Sequence, residues 1–128
     1  IYVGKGYELT LEGSVQITGN NAKAGSGVYV RNSSTIFRMK ESAKVNTNND
    51  VYLAAEAGGD VAKITVDGEL TGTAPVARIT VPDGKYDPST KVLDGSAVGS
   101  EHTKFTVTPK DTTSWYVGSN GRLTTVKP

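Results

Sequence analysis

Cysteine is absent from the 128 residues, so no disulfide framework holds the fold together. A surplus of either charge is also missing. Fourteen basic residues stand against thirteen acidic ones, a net charge of +1. That balance gives no electrostatic case for nucleic acid or for an anionic membrane surface as a partner. No apolar run approaches the roughly 20 residues that a membrane-spanning helix needs, and no secretory leader pattern is visible. Phosphate-cradling motifs are missing too. The glycines at Gly25 and Gly27 and at Gly58 and Gly59 precede no helical pattern, so they read as turn glycines. The single histidine, His102, lies in a predicted loop with no motif-defined nucleophile beside it.

What the chain has is glycine, fifteen residues of it, and repetition. Tyr2, Tyr29 and Tyr52 sit in the related words IYV, VYV and VYL, the first gap slightly longer than the second. In the same frame Leu9, Phe37 and Ile64 share a column. So do Leu11, Met39 and Val66, and then Val15, Ala43 and Leu70. Between these columns lie short period-two runs, punctuated by Gly, Asn, Ser and Asp. The sequence AKAGSG, from Ala22 to Gly27, is a turn insertion that accounts for the longer first gap.

Three short strands in each repeat of this length is what one coil of a parallel β-helix requires. Each coil stacks on the last at about 4.8 Å, and alternate residues point into the coil. An antiparallel sandwich explains short strands equally well, but not columns that stay in register over more than half of the chain. The fold expected is therefore all-β: a right-handed parallel β-helix of about three coils, residues 1–27, 28–50 and 51–75. The repeat dissolves after Pro75, so residues 76–128 are expected to form a C-terminal antiparallel β cap. Asn120-Gly121 predicts a two-residue hairpin turn between Ser114 and Val126. Phe105, Trp115, Tyr116 and Leu123 are the residues available to seal the core. The N-terminal edge at Ile1 lacks such a cover. It is expected to pair with upstream coils or with another copy of the chain. The chain opens directly on a strand with no initiating Met, which reads as a fragment of something longer.

The words GVYV, TIFRM, AKVNTNN and DVYL, within the stretch from Ile1 to Pro75, resemble the repeats of bacterial surface right-handed β-helix proteins. These belong to the broad pectin-lyase-like superfamily, and the words are similar to polymorphic outer-membrane-type repeats. The resemblance implies an extracellular or outer-surface, often adhesin-like setting, with asparagine ladders at turns. Asn20 and Asn48, and Asn21 and Asn49, share columns that fit such ladders. The superfamily also includes polysaccharide lyases and hydrolases. Those need clustered carboxylates, and no column here holds carboxylates in adjacent coils. Glu12, Lys40 and Asp67 instead alternate in sign, as an ion-pair ladder. A calcium role for Asn46, Asn48 and Asp50 does not match calcium-loop spacing, so neither metal nor cofactor is expected.

If Val3, Val28, Val30, Val51 and Leu53 face inward, then Tyr2, Tyr29 and Tyr52 face outward as an aromatic ladder. This is the candidate surface for a protein or glycan at the cell surface. Its alternative is stacking that only stabilises one sheet. Asn32-Ser33-Ser34 matches a glycosylation acceptor. The function expected is a non-catalytic structural or interaction module of a bacterial surface or secreted β-helix protein. The rivals are a fragment of a carbohydrate-active enzyme and a carbohydrate-binding module using the tyrosines or Trp115.

Overall fold

In the computed structural model, which describes all 128 residues from Ile1 to Pro128, the alternating runs become short strands. In chain order these are β1 (Tyr2–Val3), β2 (Glu8–Leu11), β3 (Gln16–Ile17), β4 (Val28–Val30), β5 (Ile36–Met39), β6 (Lys44–Val45), β7 (Asp50–Leu53), β8 (Lys63–Thr65), β9 (Ala77–Thr80) and β10 (Leu93–Asp94). One helical turn, α1 (Val98–Glu101), precedes β11 (Phe105–Val107), β12 (Tyr116–Val117) and β13 (Leu123–Thr124). Strands this short suit a coil that must turn three times within each repeat. Glycines with positive φ, such as Gly6 and Gly19, permit those corners.

The strands stack into parallel sheets. One face runs β1-β4-β7-β9-β11 and a second runs β2-β5-β8-β10, while β3 and β6 pair on a third. The chain is thus a parallel β-solenoid of about four turns, ending in a small antiparallel pair, β12 with β13. The columns align as expected on two faces. Tyr2, Tyr29 and Tyr52 are direct neighbours, and Leu9, Phe37, Ile64 and Leu93 stack inside. Alternation then decides burial. Val28, Val30, Val51 and Leu53 are fully enclosed, and they belong to one cluster of 27 buried residues that runs the length of the stack.

The expectation of three coils is corrected: the repeat continues beyond Pro75. β9 pairs in parallel with β7, setting Tyr52 against Thr80. β11 pairs in turn with β9, and β10 lies against β8. Two changes hide this fourth turn in the sequence. The tyrosine landmark gives way to threonine, and the corner after β9 lengthens to take in a 3-10 turn at Asp83–Lys85. One column also slips. Leu70 lies opposite Glu41, not Ala43, because the stretch from Val66 to Leu70 makes a wider corner. Val15 keeps its column, since its carbonyl accepts from the Lys44 amide. It is nonetheless 44% exposed, unlike Leu11 and Ile17 on the same coil, which are buried.

The hairpin forms, but not on a two-residue turn. The Gly121 amide bonds the Gly118 carbonyl, and the Gly118 amide bonds the Arg122 carbonyl. The loop therefore comprises Ser119, Asn120 and Gly121, closed by Gly121 at φ +79°, the bulged turn that a glycine in this conformation allows. The Gly121 carbonyl accepts the amides of Val92 and Leu93, and the Leu123 amide bonds the Thr90 carbonyl. The hairpin thereby covers the outer edge at β10. At the third face two side chains do the same work. Glu101 accepts the Leu70 amide at 2.6 Å, and the Lys104 ammonium donates to the Leu70 carbonyl at 2.6 Å.

Candidate functional site

The outward tyrosines form a continuous stack. The rings of Tyr2 and Tyr29 lie 5.3 Å apart and those of Tyr29 and Tyr52 lie 5.2 Å apart, each pair inclined by 17°. In-register parallel pairing fixes this spacing, since identical positions repeat at about the strand separation. Stacking occupies both faces of Tyr29, so the middle ring offers mainly its edge. Tyr2, at the end of the column, is 63% exposed. Partial burial, and then the neighbouring Tyr29, push the Tyr52 phenol above its ordinary pKa. Beyond Tyr52 the column continues as Thr80 and Thr108, whose hydroxyls are 2.6 Å apart.

The insertion from Ala22 to Gly27 folds against one flank of this column. Gly25 (φ +63°) touches the Tyr29 backbone so closely that a Cβ there would lie 2.8 Å from Tyr29 Cβ. Ser26 pins the loop, its amide and hydroxyl donating to Asp50 Oδ1 at 2.8 and 3.1 Å. Asp50 is thereby buried and engaged. Tyr7, which lies outside the tyrosine column, is 73% exposed. It flanks Gly4 together with Tyr2: a Cβ on Gly4 would lie 3.5 Å from one ring and 3.6 Å from the other. Ile1, Tyr2, Val3, Tyr7 and Leu9 line a shallow apolar depression at this end. Tyr7 gave no columnar signal because its counterpart one coil on is Thr35.

Other candidates resolve into structural roles. Glu12, Lys40 and Asp67 form no ion pairs. The contact that forms joins Arg38 to Glu8, at 3.1 Å, because Arg38 reaches diagonally across its strand pair. Asp67 Oδ1 accepts the Ser96 amide at 3.2 Å. The asparagine columns do not bond amide to amide. Asn49 instead donates to the Asn20 carbonyl at 2.8 Å, and its Oδ1 accepts the Asn20 amide at 3.3 Å. Asn46 turns back on its own loop, accepting the Asn48 amide at 3.0 Å. Asn32 is buried and donates to Glu56 at 2.9 Å, so its amide is not free for a glycan. That bond, and then Lys5, hold the Glu56 carboxyl below its usual range. His102 Nδ1 meets the Val117 carbonyl at 2.7 Å, tying α1 to the hairpin. Trp115 packs against Tyr86, ring centres 5.9 Å apart, with its indole N–H enclosed. No group of three or more His, Cys, Asp or Glu residues converges to hold a metal ion.

The chain shows no significant match to any protein-family model, curated protein or solved structure. No helix is long and apolar enough to cross a membrane.

Proposed function

We propose that the chain is a non-catalytic structural and interaction module, of the kind found in bacterial surface or secreted β-helix proteins with adhesin-like roles. The observation that carries this reading is the tyrosine stack, with rings 5.2 and 5.3 Å apart on a sheet whose in-register pairing sets their spacing. Such a surface presents outward side chains at fixed spacing to a protein or glycan partner, at a low entropic cost of ordering. Several carboxylates support the same reading by being occupied. Glu8 pairs with Arg38, Glu56 with Lys5 and Glu101 with Lys104, while Asp50 holds Ser26. The N-terminal edge of the solenoid offers β1, β2 and β3 for pairing with a further coil or with a second copy.

One observation favours a second reading, a carbohydrate-binding end platform. Tyr2 and Tyr7 present open ring surface beside an apolar depression, and open aromatic faces are what sugar rings stack on. A glycan array probed with the intact chain, and with Tyr2→Ala and Tyr29→Ala variants, separates the two. Silence across the array with all three supports the interaction scaffold. A glycan signal lost in Tyr2→Ala but kept in Tyr29→Ala supports the end platform. Cleavage of a polysaccharide by the intact chain, measured by release of new chain ends, overturns the non-catalytic reading.

A further inference from the structure

The cation pattern outside the tyrosine face asks for an explanation. A cleft of about 400 Å³ lies between β8, the 3-10 turn at Asp83–Lys85, the segment from Asp87 to Lys91 and the hairpin arm at Arg122. Its charged lining is Lys63, Lys85, Lys91, Arg122, Asp60 and Asp87, and Val61 is its one apolar residue. Three of the cations sit on neighbouring rungs. Lys91 and Arg122 form an antiparallel bridge pair. The Ile64 amide bonds the Val92 carbonyl, which brings the adjacent Lys63 near Lys91. Like charges on adjacent strands repel. None of the four cations is within ion-pair distance of a carboxylate, all such contacts lying elsewhere.

The remaining groups are already arranged. Arg122 Nη1 donates to the Ser89 carbonyl at 2.6 Å, which holds the guanidinium at the rim. Asp87 Oδ1 accepts the Ser89 amide at 2.8 Å and the Ser89 hydroxyl at 2.6 Å, so it is turned into its own loop. Four cations less two carboxylates, Asp60 and Asp87, leave a charge of +2 in a polar recess. A tetrahedral dianion neutralises that charge. Lysine ammoniums suit it as point donors, and the hydroxyl of Thr90 adds a neutral donor. A single carboxylate would leave half the charge unmatched. We propose that this cleft binds a phosphate monoester carried on a small polar molecule. The unpaired cations on neighbouring rungs are then the ligand's counter-charges.

The test is a two-dimensional amide NMR titration of the intact chain with glycerol 3-phosphate at constant ionic strength. Acetate, chloride and an oligomeric polyuronate serve as reference anions. The expected result is saturable shifts clustered at Lys63, Lys85, Ser89, Thr90, Lys91 and Arg122, weakening several-fold at pH 5, where the monoester loses its second charge (pKa about 6). The Lys63→Gln, Lys91→Gln double variant should bind at least about tenfold more weakly, which corresponds to roughly 1.4 kcal/mol. It should melt no lower than the parent, because it removes a repulsion. Lys40→Gln, outside the cleft, should bind as the parent does. Shifts that fail to saturate, that acetate or chloride reproduces, or that persist in the double variant would overturn the proposal. Tighter binding of the polyuronate than of the phosphate would overturn it equally, since the cleft would then select carboxylates.

Discussion

At the N-terminal end of the solenoid, β1, β2 and β3 each leave one hydrogen-bonding edge unpaired, and Ile1, Tyr2, Tyr7 and Val15 are exposed beside them. At the C-terminal end, the Gly121 carbonyl takes the Val92 and Leu93 amides. Glu101 and Lys104 satisfy Leu70, and His102 fastens the hairpin. The coils between have the same chemistry, in-register parallel strands over an aliphatic column. The difference shows that stacking by itself does not finish a solenoid. The closing groups are single side chains and one bulged turn, each aimed at a specific amide or carbonyl. On the N-terminal coil Tyr2, Tyr7 and Val15 stay exposed while Val3, Leu11 and Ile17 are still covered, and β11 is the one strand at the other end that also keeps a free edge.

The largest contrast should come from one column probed at its middle and at its end. Phe37 is fully enclosed between Leu9 and Ile64, so Phe37→Ala should cost about 3–5 kcal/mol. Leu9 occupies the same column but has a coil on one side only, and is half-buried. Leu9→Ala should cost about 1–2 kcal/mol, below the usual core range for lack of full burial. Urea unfolding of both variants measures the ratio. Equal losses would mean that the N-terminal coil is as well covered as the middle one.

Glycine corners sharpen the same comparison. Gly121 has φ +79°, and a Cβ there would run into the Leu93 carbonyl. Gly6 has nearly the same φ, +77°, with nothing within 4 Å of its Cβ position. Gly6→Ala should therefore cost only the left-handed penalty, about 1 kcal/mol. Gly121→Ala adds a backbone collision and should cost roughly 2–4 kcal/mol. Thermal unfolding of the two variants against the parent is the measurement. A small loss at Gly121 would show that the hairpin is not what closes the stack.

How much of this was legible follows from what each feature depends on. The tyrosine and Phe37 columns could be read because stacked coils repeat the same residue types at the same positions. The fourth turn could not. Its column continues through Thr80 and Thr108, residues that carry no hydrophobic signal, and its corner holds a 3-10 turn. Leu70's slip past Ala43 depends on corner width, which period-two patterns do not encode. Of the candidate surface, Tyr2, Tyr29 and Tyr52 came from the repeat. Tyr7 did not, since its counterpart one coil on is Thr35 and only the turn at Gly4 brings it beside Tyr2. Glu101 was invisible for a related reason. A lone glutamate signals nothing until its carboxylate is found against the Leu70 amide.

Glu101 also makes the closed end sensitive to pH. The Lys104 ammonium, and then the Leu70 amide, hold its carboxyl below the usual pKa. A depressed folded-state pKa contributes stability above the unfolded value, about 4.3, and that contribution is lost as pH falls through the folded value. Glu101→Gln should therefore destabilise the chain by roughly 1–3 kcal/mol at pH 7, and the gap should close towards pH 2. At the open end the corresponding carboxylates face solvent: Glu41, which accepts the Gly13 amide at 2.6 Å, and Glu56, which pairs with Lys5 at 3.4 Å, are both exposed. Urea midpoints at several pH values read this directly. A gap that does not change with pH would assign the loss to packing rather than to charge.

The smallest effect concerns the tyrosine stack, which crosses from the open end towards the middle. Each stacked pair is worth about 0.5–1.5 kcal/mol beyond its buried area. A double-mutant cycle on Tyr29 and Tyr52 should return a coupling in that range, because both rings are flanked and partly buried. The cycle on Tyr2 and Tyr29 has nearly the same geometry, 5.3 Å against 5.2 Å, but its outer ring sits on an unpaired edge strand. Its coupling should be smaller, since β1 can fray without disturbing the coils above it. If the two couplings are equal, β1 is as firmly held as β7, and the contrast between an open and a closed end does not extend to the tyrosine face. If both vanish, the rings are aligned by the sheet alone, and the stack is a display surface that contributes nothing to the fold it stands on.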